Sequence, residues 1–339
     1  KTKLVDGQGS RCRNWSPIFI MTQEISELHR PVMLQRCMEL LKPAILDTKA
    51  TVIDCTLGLG GHTEALLEEH PELTVIGIDR DPIALKLASK RLERFGDRFI
   101  PAEATYDQIE QVLADIGINA VQGILMDLGV SSMQLDESDR GFAYAKDAPL
   151  DMRMNQDTGE TAADLLAELN EKELTAIFKN FGEERHAGLA ARKIVEARKT
   201  NAISTSGQLN KLISSVIPVA PGKTSGHPAK RIYQALRIAV NDELGGLERA
   251  IPQAIDALVT GGRLVVMSYH SLEDGIVKRA FQEAAVSSTP MEMPMQLPGT
   301  SPKLSVLTRG VERATELELS QNPRAASARL RAAEKLEIF

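Results

Sequence analysis

A glycine-rich turn directly after an apolar strand is the feature that most constrains the fold of this chain. Residues 51–55 read as a strand, and Gly58-Leu-Gly-Gly-His62 follows it. A second apolar run, residues 73–78, ends at Asp79. Glycines let a backbone approach a ligand closely, and an acid at the end of the second strand can accept hydrogen bonds from ribose hydroxyls. This arrangement predicts a cleft for a nucleoside cofactor.

Strands and helices alternate on both sides of this turn. Strands are predicted at 51–55, 73–79, 98–102 and 121–127, with helices at 62–69, 82–95 and 106–116 between them. An earlier helix at 32–46 is expected to stop near Pro43. Past residue 240 the pattern continues with a helix at 247–259, a turn at Gly261-Gly262, a strand at 263–269 and a helix from Leu272. This alternation predicts an α/β fold with a doubly wound, Rossmann-like parallel sheet.

The alternation breaks after Asp127, because residues 161–240 carry only helical periodicity. We therefore predict an all-helical insertion domain at 136–240 that binds the substrate. The α/β domain would then be formed by residues 22–135 and 241–339. Residues 1–20 are polar and aperiodic, and we expect them to be a disordered leader that is foreign to the fold.

Charge is unevenly distributed along a chain whose net charge is −6. Residues 41–170 hold 11 Lys and Arg against 24 Asp and Glu, whereas residues 171–240 hold 12 against 5. An acidic segment joined to a basic one predicts a basic face on the insertion that can hold phosphates. A solvated helical surface would give the same counts, so charge alone leaves both interpretations open.

Composition indicates a protein of the cytoplasm. The sequence has no run of about 18 apolar residues, so we expect no membrane partner. Its three cysteines, Cys12, Cys37 and Cys55, form no CxxC pair and no disulfide framework. We therefore expect thiols in a reducing compartment and no metal site.

The spacing of the glycines bears on the identity of the cofactor. Gly58 and Gly60 fit the dinucleotide pattern G-x-G-x-x-G, but Thr63 occupies the third position. That third glycine allows close packing of helix on strand beneath a pyrophosphate, so its absence disfavours NAD and a dehydrogenase. S-adenosylmethionine has no pyrophosphate and suits Gly60, Gly61 and Asp79 better. A nucleotide fold without enzymatic use is the alternative.

A second wall of the ligand site is expected where the fourth strand ends. Asp127-Leu-Gly-Val-Ser-Ser132 places an acid and two hydroxyls in one turn there. Ligands of open α/β sheets bind outside the carboxyl ends of the strands, so this turn should face both cofactor and substrate. The alternative is that Asp127 caps local backbone amides.

Several long segments resemble one known family. They include Asp54-Cys-Thr-Leu-Gly-Leu-Gly-Gly-His62, Gly77-Ile-Asp-Arg-Asp81, Met126-Asp-Leu-Gly-Val-Ser-Ser132, His227-Pro-Ala-Lys-Arg231, Ser268-Tyr-His-Ser-Leu-Glu-Asp274 and Asn322-Pro-Arg324. With further motifs from His29 onward, the matching segments occur in order over residues 28–335. The chain thereby resembles the MraW/RsmH family, the bacterial S-adenosylmethionine-dependent 16S rRNA (cytosine-N4)-methyltransferases. Lys230, Gly275 and Ala326 depart from the family pattern, in segments expected to face RNA or to be peripheral.

The resemblance implies a class I methyltransferase fold with a helical insertion and a cofactor site that carries over residue by residue. The implied contacts to S-adenosylmethionine are Gly60, Gly61, His62, Asp79, Tyr106, Asp127 and Gln134. Among them, Asp79 would bind the ribose and Tyr106 would flank the adenine. The implied substrate is a cytosine in the decoding region, at the P site, of 16S rRNA within the small ribosomal subunit. A homodimer is left open.

Methylation of the exocyclic amino group of cytosine is an in-line displacement, in which N4 attacks the methyl carbon. The positive charge on sulfur disappears in the transition state, so no metal is needed. The base must leave its stack, and acceptors near the methyl group should hold the N4 hydrogens. The candidates for this catalytic group are Asp127, Ser131, Ser132 and His270. For His270, a structural histidine at a strand end is an equal alternative.

The basic segment supplies the candidates for RNA contact. They are Lys223, Lys230, Arg231, Arg237 and Tyr233. Phosphate contacts beside a stacking ring would suit rRNA, whereas a solvated helix with Tyr233 in the core is the alternative. Two other functions stay open: a methyltransferase acting on DNA or a small molecule, and a non-catalytic ribosome-assembly factor that retains cofactor binding.

Overall fold

The computed structural model describes residues 31–46, 49–143, 147–217, 227–289, 293, 297 and 299–337. The expected leader at residues 1–20 lies outside these ranges, as do Lys223 and the first two residues of the His29 motif.

A seven-stranded sheet lies at the centre of the fold. Its strands are β1 Thr51–Asp54, β2 Thr74–Asp79, β3 Phe99–Glu103, β4 Val121–Asp127, β5 Leu258–Ser268, β6 Leu304–Val306 and β7 Arg329–Lys335. Their order in space is β3-β2-β1-β4-β5-β7-β6. Strands β1 to β5 pair in parallel, whereas β7 is antiparallel to both β5 and β6. The predicted doubly wound α/β sheet is confirmed, but it is mixed rather than wholly parallel, because the C-terminal strands return antiparallel along β5.

Helices cover the sheet and make up much of the described chain between β4 and β5. They are α1 Leu34–Ile45, α2 Gly61–Glu69, α3 Pro82–Leu92, α4 Ile109–Ile116, α5 Ser132–Asp136, α6 Ala162–Glu168, α7 Glu171–Asn180, α8 Ala187–Ala197, α9 Ser206–Val216, α10 Lys230–Asn241, α11 Glu243–Ala257, α12 Ser271–Ala284 and α13 Glu316–Gln321. Short 3-10 turns occur at Glu93–Arg98, Tyr106–Gln108, Ser138–Arg140 and Pro323–Ser327. Within the described ranges, no helix combines the length and the apolar character that a membrane crossing requires.

Successive residues of the central strands pack on opposite faces of the sheet. Ile53 and Ile124 belong to one hydrophobic cluster, together with residues of α4 and α11. Their neighbours Val52 and Leu125 belong to a second cluster, with residues of α1, α2 and α3. Because both faces are buried, the parallel strands read as continuous apolar runs in the sequence.

A third hydrophobic cluster holds helices α6 to α10 together. Its largest fully buried side chain is Phe178, and Leu174, Ile194, Ile213 and Leu236 pack in the same cluster. Helices α6 to α10 therefore have a core of their own. The bounds of the two domains, 136–240 for the insertion and 22–135 with 241–339 for the α/β domain, stay a prediction.

Two expected element boundaries differ from the structure. Helix α1 continues through Pro43 to Ile45, because Pro43 is exposed while the buried Ile45 anchors the last turn. The expected turn at Gly261-Gly262 lies inside β5, where the register with β4 shifts between Val121 and Gly123. Gly261 has a φ of +79°, so the two glycines form a bulge instead of ending the strand.

A buried ion pair fixes the segment after β4 to the end of β2. Asp81 caps the start of α3, and its Oδ2 lies 2.8 Å from Nη2 of Arg140. The two residues are 1% and 3% exposed. The same oxygen accepts a bond from Nε2 of Gln134 at 3.0 Å, and Nη2 of Arg140 also donates to the carbonyl of Met154 at 2.7 Å. This network links the first α/β units to the segment that leads into the helical region.

We expect Arg140→Met to destabilise the fold by about 3–5 kcal/mol, because it leaves the buried carboxylate of Asp81 without its charge partner. Denaturant unfolding followed by circular dichroism measures this loss. Arg192→Met is the matched control, since Arg192 pairs with Glu171 through side chains that are 62% and 45% exposed. Its cost should stay below about 1 kcal/mol. Equal losses of unfolding free energy in the two variants would show that the buried pair contributes no more to stability than the exposed pair.

Candidate cofactor and substrate site

A cavity of about 480 Å³ opens at the carboxyl ends of β1, β2 and β4. Parallel strands end at the same edge of a sheet, so the residues that follow them converge there. The α/β side of the wall includes Thr56, Gly58, Gly61, His62, Asp79, Tyr106, Asp127, Ser131 and Gln134. The helical side includes Phe142, Met152, Met154, Lys230, Tyr233 and Arg237, and the turn before β7 adds Arg324. The cavity therefore joins the strand ends to the helical region.

Asp54, the last residue of β1, holds the glycine turn from beneath. Its Oδ2 accepts a bond from the hydroxyl of Thr63 at 2.8 Å, and its Oδ1 accepts one from the backbone N–H of Thr56 at 3.2 Å. Both Asp54 and Thr63 are buried, and burial raises the pKa of Asp54. Thr63 stands where a dinucleotide site has its third glycine. Its hydroxyl links α2 to β1 by a hydrogen bond that a glycine could not form.

The two adjacent glycines have different positions in the turn. Gly60 has a φ of +76°, and a Cβ there would lie 3.0 Å from Cδ1 of Leu92. It bends the chain into α2 from behind the cavity wall. Gly61 lines the cavity, and a Cβ on it would lie 2.6 Å from Cγ of Pro31. Of the two predicted contacts, the structure brings Gly61 to the cavity, whereas Gly60 supplies the backbone conformation.

His62 lines the cavity beside the turn. Its Nε2 lies 3.0 Å from the carbonyl oxygen of Val32. Because a carbonyl only accepts hydrogen bonds, this nitrogen must be the donor. Its Nδ1 is 4.0 Å from Oδ2 of Asp127. His62 is thereby held by the segment before α1 and faces the acid that ends β4.

Asp79 ends β2 and lines the cavity. Its Oδ2 accepts the backbone N–H of Gly58 at 2.7 Å, and its Oδ1 accepts that of Asp81 at 2.8 Å. Burial raises the pKa of Asp79 to about 6, although both backbone bonds favour the ionised form. A carboxylate fixed this way has further lone pairs that can accept bonds from ribose hydroxyls.

Asp127 ends β4 on the other side of β1. Its Oδ1 accepts a bond from the hydroxyl of Tyr269 at 2.6 Å, and its backbone N–H donates to the hydroxyl of Thr56 at 2.6 Å. Burial raises the pKa of Asp127 to about 6, against the opposing effects of His62 and Tyr269. The side chain therefore bonds across to β5 and does not simply cap its own turn.

The other predicted cofactor contacts are also held at the cavity wall. Tyr106 donates its hydroxyl to the carbonyl of Glu243 at 2.7 Å. Gln134 accepts the backbone N–H of Ser131 at 3.0 Å, and the Ser131 hydroxyl accepts that of Gln134 at 3.3 Å. This reciprocal capping box begins α5 at Ser132. Ser131 therefore lines the cavity with its hydroxyl already partly engaged.

His270 does not belong to the residues that line the cavity, and its place in the catalytic group stays a prediction. It precedes α12, where its Nδ1 accepts the backbone N–H of Glu273 at 3.4 Å and its Nε2 lies 3.2 Å from Oε1 of Glu273. Capping directs the ring toward the helix instead of the strand edge.

Glu243, His270 and Glu273 bring possible metal-ligand atoms within 4.8 Å of one another. Arg237, however, donates to both carboxylate oxygens of Glu243 at 2.8 Å.

The predicted RNA contacts fall into two groups. Lys230 is exposed and lines the cavity, and Arg231 is exposed while its Nη1 donates to the carbonyl of Glu183 at 2.9 Å. Tyr233 is only 4% exposed and packs in the helical core, and the guanidinium of Arg237 is bound by Glu243. The burial of Tyr233 agrees with the alternative that places its ring in the helical core, and Arg237 is engaged by an ion pair. Their contacts to RNA stay predictions.

Sequence reasoning missed the contributions of Tyr269 and of the apolar wall. Tyr269 lies just past β5, and only the pairing of β5 with β4 brings it to Asp127. Phe142, Met152 and Met154 form an apolar side of the cavity. In the sequence, these three residues lie in a turn-rich segment after Asp127, which gives no periodic pattern that would predict an apolar wall.

The sheet order, the glycine turn and the acids at the ends of β2 and β4 define a class I methyltransferase fold with a nucleoside-cofactor site. The chain belongs to the MraW methylase family, whose model matches residues 26–336. It is 54% identical over 309 residues to the ribosomal RNA small subunit methyltransferase H of Saccharopolyspora erythraea, covering 91% of this chain and 94% of the relative. It is 53% identical over 313 residues to the protein of the same name from Beutenbergia cavernae, covering 92% and 94%.

We expect Asp79→Ala to remove measurable cofactor binding, because it removes the carboxylate at the end of β2 that lines the cavity and would accept the ribose hydroxyls. Calorimetry with S-adenosylhomocysteine measures the affinity. Glu103→Ala is the matched control, since Glu103 pairs with Asp79 in the sheet but is exposed. Binding by Asp79→Ala that equals binding by the control would place the cofactor elsewhere.

Cofactor affinity should also depend on pH. Asp79 and Asp127 both have pKa values raised to about 6, and each must be ionised to accept bonds from the ligand. A proton therefore competes with the ligand as the pH falls through 6. We expect a constant affinity for S-adenosylhomocysteine above pH 7 and a loss of at least about tenfold by pH 5. An affinity that is the same at pH 5 and pH 8 would contradict this.

Proposed function

We propose that the chain is an S-adenosylmethionine-dependent methyltransferase that modifies N4 of a cytosine in the decoding region, at the P site, of 16S rRNA in the small ribosomal subunit. The observation that carries the proposal is the position of the Asp127 carboxylate. It lies at the cavity wall between the glycine turn and the helical region, 2.6 Å from the Tyr269 hydroxyl. The relatives' shared name, ribosomal RNA small subunit methyltransferase H, supports the rRNA substrate.

The residues of the α/β side fit the parts of the cofactor. Asp79 would accept the ribose hydroxyls, and Tyr106 would lie beside the adenine. Gly61 and His62 would approach the amino-acid end. The cavity volume of about 480 Å³ lies within the usual range for small-molecule sites. When bound, S-adenosylmethionine supplies an electrophilic methyl group on a positively charged sulfur.

Transfer of the methyl group forms a bond from N4 to carbon and breaks the bond from carbon to sulfur. The N4 nitrogen then loses one proton to the Asp127 carboxylate. Asp127 is the acceptor placed for these hydrogens, because Tyr269 occupies Oδ1 and leaves Oδ2 toward His62. With a pKa raised to about 6, Asp127 is ionised at neutral pH and can hold the N4–H group. Ser131 is the second acceptor at the same wall. The main contribution to rate is the positioning of N4 against the methyl carbon.

The helical side of the cavity fits a nucleotide that has left its stack. Phe142, Met152 and Met154 offer apolar surface to a base, and the exposed Lys230 can contact a phosphate at the same cavity. Unstacked bases in single-stranded RNA are the usual targets of such recognition. The assembled small subunit as substrate, a cytoplasmic location and a homodimer stay predictions.

The test is transfer of a labelled methyl group to small ribosomal subunits from a strain that lacks the modification, followed by mass mapping of the rRNA. We expect one labelled cytosine, carrying the methyl group on N4. Asp127→Asn should bind S-adenosylhomocysteine more weakly and transfer little label. Label on DNA or protein alone would favour another substrate, and cofactor binding with no transfer to any of them would favour an assembly factor.

Charge reversal at Lys230 should weaken RNA recognition. We expect Lys230→Glu to raise the KM for small subunits about tenfold or more, because it replaces a phosphate contact with a repulsive charge. Lys86→Glu on α3 is the matched control, since Lys86 is exposed and does not line the cavity. Steady-state kinetics at two salt concentrations measures the effect. The same KM for both variants would remove Lys230 from the interface.

A further inference from the structure

Tyr269 reaches from the end of β5 to the acid that ends β4. Its hydroxyl lies 2.6 Å from Oδ1 of Asp127, and both residues line the cavity. Burial, together with the neighbouring carboxylate, raises the pKa of Tyr269. The hydroxyl therefore keeps its proton, and it is the donor of this bond while the carboxylate accepts.

Two contacts hold the tyrosine independently of any ligand. Its backbone N–H donates to Oε2 of Glu273 at 2.8 Å. A Cβ on Gly129 would lie 3.4 Å from Cδ2 of Tyr269, so the ring packs directly on the turn after β4. Gly129 has a φ of +98°, which favours glycine at this position. Tyr269 is thus a fixed hydrogen-bond donor that determines the orientation of the Asp127 carboxylate.

The other oxygen of Asp127 faces a second acceptor. Its Oδ2 lies 4.0 Å from Nδ1 of His62, and His62 donates from Nε2 to the carbonyl of Val32. In the neutral ring, Nδ1 is then an acceptor. Two acceptors that face each other at the cavity wall are complementary to an N–H group of a ligand placed between them.

We propose that Tyr269 is a positioning residue, which holds Oδ1 of Asp127 so that Oδ2, opposite Nδ1 of His62, binds an amine N–H of the ligand. This inference rests on the proposed function, under which two amines enter the cavity. One is the amino group of the cofactor's amino-acid end, and the other is the exocyclic amino group of the target base. Both present N–H donors, and the experiment separates them.

The protonation of Asp127 provides a readout that a packing role would not change. Burial raises the pKa of this carboxyl most, and Asp54 and Glu273 raise it further, whereas the Tyr269 hydroxyl lowers it, as would His62 if its ring were protonated. The buried thiol of Cys37 lies close by, and burial raises its own pKa, so it stays un-ionised. Loss of the Tyr269 hydroxyl removes a donor to the ionised form, so the pKa of Asp127 must rise.

Tyr269→Phe keeps the ring and removes only the hydroxyl. If the bound amine is the cofactor's amino group, we expect the affinity for S-adenosylhomocysteine, measured by calorimetry, to fall about tenfold or more. The loss should be larger at pH 6 than at pH 8. In an Asp127→Asn background, the same replacement should change the affinity little, since a neutral amide lacks the charge that the hydroxyl stabilises. This double-mutant cycle isolates the Tyr269–Asp127 coupling.

The result for Tyr269→Phe depends on which amine binds between Asp127 and His62, and either of the two results described next supports the proposal. For the cofactor's amino group, the affinity falls as described. For the amino group of the base, the affinity is unchanged, while kcat on small subunits falls and its acid limb moves to higher pH. The proposal is overturned if Tyr269→Phe matches the parent in affinity, kcat and pH profile. It is also overturned if the affinity falls equally in the Asp127→Asn background, as misfolding would cause. The binding of S-adenosylhomocysteine needs no RNA. The affinity measurement on Tyr269→Phe would therefore still test the proposal if rRNA proved not to be the substrate.

Discussion

The hydrogen bond between Asp54 and Thr63 is the constraint on which the site depends. It joins the last residue of β1 to the first turn of α2 within the core, at 2.8 Å. Burying a carboxylate is costly unless its oxygens are hydrogen-bonded, and here both oxygens accept bonds from the turn itself. The chain between them has little freedom, so Gly61 and His62 are presented to the cavity in one conformation.

The parallel register then places the remaining acids. β1 pairs with β2 on one side and with β4 on the other, and Asp54 lies level with Gly77 and Leu125. Asp79 and Asp127 are each two residues further along, so their carboxyl groups flank the turn. Burial raises the pKa of both to about 6. Hydrogen bonds are stronger in such a partly desolvated setting than in water, so a ligand that donates to these oxygens gains affinity there.

Local patterns were sufficient to predict much of this arrangement. The strands β1, β2 and β4, the glycine turn and the two acids could be read from apolar runs that end in aspartate. The sequence patterns did not predict contacts between residues that are far apart in the chain. Examples are the antiparallel pairing of β7 with β5 and the hydrogen bond from Tyr269 to Asp127. The surroundings of His270 and Tyr233 could not be predicted for a related reason. Both residue types suit catalysis or stacking, yet capping of α12 and the helical core occupy them here.

The most direct test of the central claim is a crystal structure of the chain with S-adenosylhomocysteine. We expect the ribose hydroxyls within hydrogen-bonding distance of Asp79, and the adenine beside Tyr106. The sulfur should point along the cavity toward Asp127. A ligand bound outside this cavity, or a ribose held by residues other than Asp79, would contradict the claim that the acids after β2 and β4 form the methyl-donor site.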